Sequence, residues 1–342
     1  MQHTNTYGIK SKSVINALTY DDYDMNERPD NVISCTELID APKAKILNHR
    51  HRDEVEKDVS DNFWLLDGSA IHYALEMSVK KCDRERLTEE RIFIEITTDG
   101  KVLAHTLNKG EKVVDAKWYS QYSLFVTVKF DNYDFEDQVI EDYKRTQVWE
   151  VVFGLKESRM QQLNIGAYAL KLLGFPVKTL RSCLFLKSWD KKDYERDLQK
   201  SEQFGNTPKY PPIQYAEFEE KPWEESGVLS YIKARGELHM NARRLEDDEI
   251  PPCTKEERWL SDEAYAVMKY GNQKASKVFK VTGGYTAEET ESLAATHMAT
   301  LMTKDTKGKY YVEHRPGINK RCEGYCAARQ FCNFWKSINQ EK

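Results

Sequence analysis

In residues 123–146 two strand-forming runs, SLFVTVKF and QVIEDYKRT, are separated by the polar turn DNYDFED. Alternating β-branched and aromatic residues on either side of such a turn predict a β-hairpin with acidic residues at both of its ends. Helical periodicity brackets it. Upstream, residues 62–80 contain FWLLDGSAIHYALEMSV, a helix. Downstream, LKESRMQQLNIGAYALKLLG is a second helix, stopped at Gly174 with Pro176 just beyond, and VKTLRSCLFLKSW follows as a buried strand. The order helix, hairpin, helix, strand predicts an α/β fold with a mixed central sheet flanked by helices.

Around this centre, residues 1–33 are polar and irregular, which predicts a loose arm, and CTELIDAPKAKILNHRHRDE reads as a short helix pair with a basic side at Lys43, Lys45, Arg50 and Arg52. RIFIEIT, KVLAHTL and EKVVDA read as strands. Residues 190–227 are charged and proline-bearing and predict a loop, before a helix over about 223–246 and the turn IPPCTKEERW. AYAVMKY and KASKVFKV form a hairpin around GNQ, AEETESLAATHMATLM is helical, and KYYVEHRP is a last strand.

At 342 residues the chain can bury one substantial core plus an appended lobe. It has no run of 18 apolar residues, so no membrane span is expected, and MQHTNTYGIK lacks an apolar signal core, which predicts a cytoplasmic protein. The net charge of −5 carries no overall signal for nucleic acid. Residues 264–342, however, hold 13 Lys and Arg against 7 Asp and Glu.

The chemistry concentrates in the hairpin. Asp131 closes its first strand, and Asp142 and Lys144, two apart, point the same way from its second. Two carboxylates at the bend make a hard oxygen site suited to Mg²⁺ or Mn²⁺, beside an amine able to orient or deprotonate an attacking water. On the preceding helix His72 and Glu76, four residues apart, share a face. Glu76 would support the metal site, orient DNA, or stand as an ordinary surface glutamate.

GSAIHYALE, KFDNYD, IEDYKRT and QQLNIGAY, in that order, resemble the RecB-like branch of the PD-(D/E)XK nucleases, in particular the phage-encoded exonucleases. The resemblance extends through YPPIQ, PPCTKEERW, YAVMKYG and VEHRPG to the terminal cysteines. It implies a restriction-endonuclease-like core over residues 60–190, preceded by an N-terminal arm and helices (1–59) and followed by a loop and helical insertion (191–252) and a basic C-terminal lobe (253–342). It further implies that His72, Asp131, Asp142 and the carbonyl of Tyr143 bind Mg²⁺ or Mn²⁺. Lys144 would be the catalytic lysine, and Gln162 would contact DNA or steady that lysine. The implied reaction is phosphodiester hydrolysis from DNA ends, leaving a 5′ phosphate and a 3′ hydroxyl. Its setting would be phage recombination or replication, where the resected strand passes to an annealing protein. Relatives place a tyrosine four residues after the glutamine, where this chain has Gly166. Tyr168, another candidate DNA contact, is six residues on and off the face of Gln162. That departure is the one feature favouring a catalytically silent DNA-binding module; a structure-specific endonuclease is the third reading.

Of seven cysteines, Cys35, Cys82 and Cys183 are isolated, while Cys322, Cys326 and Cys332 lie within eleven residues. The C-x3-C-x5-C spacing brings three thiolates around one centre. Cys253, in a turn beside two prolines, is the preferred fourth ligand, with Cys35 the alternative. Four thiolates suit Zn²⁺ or [4Fe-4S], and the resemblance implies iron–sulfur. Such a cluster would staple the basic lobe to the core, where Lys274, Lys277, Lys280, Lys320 and Arg321 are candidates for phosphate contacts.

Overall fold

Buried apolar runs determine where the chain folds back on itself, and they do so in two separate places. In the computed structural model, which describes residues 2–20, 28–81, 85–108 and 110–340, the chain divides into units Met1–Ile250 and Pro251–Lys342. The first unit begins β1 (Gln2–Thr4), α1 (Lys12–Thr19), β2 (Val32–Ser34), α2 (Cys35–Leu38), α3 (Pro42–Arg50), β3 (Glu56–Asp58) and α4 (Phe63–Val79). It continues β4 (Arg86–Thr88), β5 (Arg91–Ile96), β6 (Val102–Thr106), β7 (Leu124–Lys129), β8 (Asn132–Asp134) and β9 (Val139–Gln147). Then follow α5 (Trp149–Phe153), α6 (Glu157–Leu172), β10 (Thr179–Lys187), α7 (Lys191–Phe204), β11 (Tyr215–Glu220) and α8 (Glu225–Arg243).

Two sheets carry this unit, ordered β11-β10-β9-β8-β4 and β2-β7-β5-β6. Both are mixed: β9 and β10 run parallel, joined through α6, and β2 runs parallel to β7, while the other pairs are antiparallel. The fold is therefore mixed α/β with helices against its sheets. α6 is buried along Leu163–Leu170 because it packs on β7 of one sheet, on β9 and β10 of the other, and on α8. A helix covered on so many sides must be apolar or small all round, and LNIGAYAL is so apart from Asn164. That amide is satisfied, donating to the Met160 carbonyl at 2.8 Å and accepting from the Trp223 N–H at 2.7 Å.

Several expectations are corrected by the pairing. β7 does not pair with β9; the hairpin is β8 with β9, in the register Asn132 to Glu141, and β7 belongs to the other sheet. Asp131 lies where the chain crosses between sheets, just after the buried Phe130. EKVVDA contains a 3-10 turn at Val113–Asp115, because Val113 packs on Phe93 and Phe125 without a strand partner. The expected arm contains α1 and the fully buried β2, too short to be visible in periodicity. The expected loop over 190–227 holds α7, capped by the Asp190 side chain and ended by Gly205 at φ 66°, and the edge strand β11. Proline density around 208–212 concealed the alternation YAEFEE, whose Glu219 pairs with Arg181.

His239 on α8 is wholly buried, and its Nε2–H donates to the Leu38 carbonyl at 3.3 Å. Burial lowers its pKa to about 4. The unfolded chain thus binds this proton first on acidification. The stability the neutral ring contributes is complete above pH ~6.5 and is lost as pH falls through about 4. Urea unfolding of wild type and His239→Gln should diverge across that window by about 3 kcal/mol, wild type losing more; parallel curves would refute the assignment.

In the second unit β12 (Ala264–Lys269) pairs antiparallel with β13 (Lys277–Lys280) and β14 (Tyr310–Arg315). α9 (Ala287–Lys304), started by a Thr286/Glu289 capping box, covers this sheet through Ala294 against Tyr265 and Val267. α10 (Lys320–Gly324) and α11 (Asn333–Gln340) complete the described chain. No helix among the described residues is long and apolar enough to cross a membrane.

Candidate metal centre

α4 is held beside the sheet by Asp67, whose Oδ2 lies 2.9 Å from Arg145 Nε of β9 and 3.2 Å from Lys187 Nζ of β10. This places His72 over the middle of β9. Its Nε2 is 2.9 Å from the Tyr143 carbonyl, and its Nδ1 is 3.4 Å from Asp131 Oδ1 and 3.8 Å from Glu89 Oε1. Asp131 Oδ2 accepts the Tyr143 N–H at 2.6 Å, so the side chain at the sheet crossing also sets the strand that carries the carbonyl. Among the described residues, His72, Glu89 and Asp131 form a group of ligand atoms within 4.8 Å of one another.

Asp142 and Lys144 lie on the opposite face of β9 from Tyr143, paired Nζ to Oδ1, and Asp142 is 3 % exposed. Burial raises the Asp142 carboxyl, with Asp131 adding to that effect and Lys144 opposing it. For Lys144, burial acts downward, but Asp142 and Asp131 outweigh it and raise the ammonium. Asp142 Oδ2 has no hydrogen-bond partner despite its burial. An acceptor left in that condition costs about 1–3 kcal/mol, and a cation would satisfy it.

The chemistry of the donors fits a hard divalent ion: carboxylate and carbonyl oxygens with one imidazole. His72 is pushed up to about 10, by Asp131 first and then Glu89, against burial. An ion bound among these oxygens would displace that proton.

The sequence-predicted His72, Asp131 and Tyr143 carbonyl are thus brought together, and Asp142 with Lys144 adjoins them outside the close trio. Glu89 is the residue that sequence reasoning missed. It follows β4 in a left-handed backbone, φ 57°, which is costly for a non-glycine residue and is the kind of local strain found at functional sites. Its Oε2 pairs with Lys129 at 2.5 Å. Burial works upward on its carboxyl, but His72 and Lys129 hold it at about 2. TEER between two strands carries no signal beyond a polar turn. Behind the centre, Glu141 accepts from the Tyr143 hydroxyl (2.9 Å), Asn132 (2.7 Å) and Arg181 (2.7 Å), which fixes the strand from its other face.

Other candidates are placed elsewhere. Glu76 pairs with Lys80 at 2.5 Å, one turn along α4. Tyr168 is 6 % exposed and packed in the core, which removes it as a DNA contact. Gln162 is half-buried on α6, three residues from Arg159, whose charge acts on both Asp142 and Lys144. Gly166 packs on β9: a Cβ there would lie 2.8 Å from Ile140 Cδ1. A tyrosine has no room, so its absence says nothing about activity. Gly166→Tyr should cost about 1–3 kcal/mol in urea unfolding; a variant as stable as wild type would show that position to be open.

Cys253, Cys322, Cys326 and Cys332 all belong to the second unit. Backbone hydrogen bonds from Ser261 N to Ile318 O (3.0 Å) and Arg321 N to Arg258 O (3.1 Å) align the Cys253 turn with the start of α10. Burial, then Glu257, Cys332 and Cys326, push the Cys253 thiol up to about 12, with Arg321 opposing. Cys322 is raised by burial and then by Cys326 and Cys332. Cys326 and Cys332 thus act on both Cys253 and Cys322, although the four do not form a group as close as the His72 trio. Cys35 lies in the first unit's core, where burial and then Asp142 push it up to about 12. Since Cys253 opens the second unit, an ion shared by Cys253, Cys322, Cys326 and Cys332 would lie within that unit. Cys82 lies outside the described residues. Of the basic candidates, Lys274 is exposed on the hairpin turn and Lys320 begins α10. Lys277 lies over Phe279, Lys280 pairs with Asp262, and Arg321 lies over Trp259.

No family model matches this chain, and no curated protein does. A solved structure, the crystal structure of SSO0001, aligns at a TM-score of 0.41 with 15% identity, over 70% of this chain and 90% of that one.

Proposed function

We propose that this chain is a metal-dependent DNA exonuclease of the PD-(D/E)XK type, working from strand ends in phage recombination or replication. The observation that carries the reading is the convergence on β9: the His72 imidazole, Asp131 and the Tyr143 carbonyl meet beside a buried Asp142 that holds Lys144 and keeps one oxygen unpartnered. His72, Asp131, Asp142 and the Tyr143 carbonyl would hold Mg²⁺ or Mn²⁺, with Glu89 as a further carboxylate. Such an ion supplies Lewis acidity at a phosphoryl oxygen and a more acidic bound water.

The protein's own groups do the rest. Asp142 fixes the Lys144 ammonium, which stays charged beside two carboxylates and so donates hydrogen bonds to the attacking water or the phosphate. Asp131 locks the strand through the Tyr143 N–H, and Glu141 locks it from behind, so the donors need little reorganisation. In-line displacement would leave a 5′ phosphate and a 3′ hydroxyl. The four cysteines would hold a [4Fe-4S] cluster or Zn²⁺ that completes the fold of the second unit. An annealing protein would take up the resected strand.

The test is incubation of the pure protein with labelled linear and covalently closed DNA in Mn²⁺, beside Asp142→Ala. Progressive loss of linear DNA alone supports the reading. Cutting of closed circles would make the enzyme an endonuclease, and no cutting above the variant would leave a binding module.

A further inference from the structure

Arg258 reaches each of the three stretches that bear the cysteines of the second unit. It lies five residues after Cys253, and its carbonyl accepts the N–H of Arg321, the neighbour of Cys322, at 3.1 Å. Its guanidinium stands 4.1 Å from the ring centroid of Phe334, two residues after Cys332. The Nε of this side chain is buried, and among the described residues no group, thiols included, accepts from it. A buried donor on a cation is costly to leave unpaired, and the acceptor that matches it best is an anion.

Arg321 comes to the same place from the start of α10. Its guanidinium lies 5.6 Å from the Trp259 ring centroid, and Nη1 donates to the Glu257 carbonyl at 3.3 Å. Trp259 holds that position in a left-handed backbone, φ 52°, an unusual conformation for a bulky residue. Burial and then Cys326 and Cys332 raise the Cys322 thiol, and Arg258 and Arg321 oppose them. The Glu257 carboxylate, which acts on Cys253 in the raising sense, accepts the Thr254 N–H at 2.9 Å.

Charge balance gives the two cations a purpose. Four thiolates on Zn²⁺, or on a [4Fe-4S]²⁺ core, leave two negative charges uncompensated, and burying such an excess is unfavourable unless cations accompany it. Two guanidiniums supply that match, and hydrogen bonds and charge around the sulfurs are what tune such a centre.

We propose that Arg258 and Arg321 are the counter-charges of the cysteine centre, with Arg258 donating its Nε–H to a metal-bound thiolate sulfur. The pair thereby governs how long the centre is retained and, for an iron–sulfur cluster, how readily it takes up an electron. The proposal rests on the reading that the four cysteines share one centre and is independent of the nuclease chemistry.

The full chain, purified without oxygen and assayed for iron and zinc, is mixed with an excess of pyridylazoresorcinol, whose colour reports the rate of metal release. Arg258→Met and Arg321→Met should each release metal at least about tenfold faster than wild type, while Arg321→Lys should stay within about threefold. Arg258→Lys, which keeps the charge and loses the directed Nε–H, should recover only part of the difference. Lys304→Met, which removes an equal charge from the exposed end of α9, should release at the wild-type rate. For an iron–sulfur cluster, dye titration should show a lower reduction potential in both arginine-to-methionine variants and an unchanged one in Lys304→Met. Wild-type release from Arg258→Met, or from Arg321→Met where Arg258→Met does not fold, would overturn the proposal, as would equal acceleration by Lys304→Met. A wild-type chain that purifies with neither iron nor zinc would overturn the shared cysteine centre together with it.

Discussion

Asp142→Asn should reduce cleavage of linear DNA in Mn²⁺ by about 10³-fold or more, and the same substitution should destabilise the first unit. Both effects follow from one arrangement. Asp142 is a buried carboxylate whose Oδ1 holds Lys144 and whose Oδ2 has no partner. In the proposed nuclease, neutralising it would remove a hard oxygen donor from a site where a preorganised charge is worth several kcal/mol in the transition state. It also leaves the largely covered Lys144 ammonium without its counter-charge, at a cost of about 3–5 kcal/mol. The two roles separate in the double variant Asp142→Asn/Lys144→Met, which removes both charges together. Its unfolding midpoint should recover most of the loss while cleavage stays at the floor. Cleavage within tenfold of wild type in either variant would show that the pair is structural only.

The second large effect concerns the cysteines. Cys326→Ser, or exhaustive chelation, should abolish cooperative unfolding of the second unit while the first unit still unfolds in its own transition. The sheet of β12, β13 and β14 is covered on one side by α9 and has a small core around Tyr265, Val267 and Ala294. Small units of that kind commonly depend on a metal, and structural zinc sites supply about 10–16 kcal/mol of folding free energy. Backbone pairing of the Cys253 turn with the start of α10 ties the unit's first residues to its last third, so losing an ion held by these thiols would release both ends. Limited proteolysis should then clip residues 251–342 and spare the rest. A variant that resists protease as well as wild type would mean that the thiols hold no ion that matters to folding. Absorbance near 400 nm and a brown colour in purified protein would separate iron–sulfur from zinc.

Much of the site was legible from local pattern because the chemistry resides on regular elements. Asp142 and Lys144 sit two apart on a strand, and His72 lies on a strongly helical run, so their directions follow from backbone period alone. The helices α4, α6, α8 and α9 were readable for the same reason. Glu89 was not legible, since its approach to His72 depends on a left-handed turn between β4 and β5 that no periodicity encodes. Gly166 looked like a lost functional residue until the packing of α6 on Ile140 accounted for it. Tyr168 looked available to DNA because a helix pattern does not reveal that α6 is covered on several sides.

By itself the sequence determined the longer elements, α4, α6, α8 and α9 among them, and which of their side chains share a face, because both follow from interactions between residues a few positions apart. Tertiary structure alone decided that β7 and β9 belong to different sheets, that Asp131 marks the crossing between them, and that Glu89 comes to His72. Those outcomes depend on which apolar faces meet across long chain separations, and burial selects among pairings that local propensity leaves equivalent.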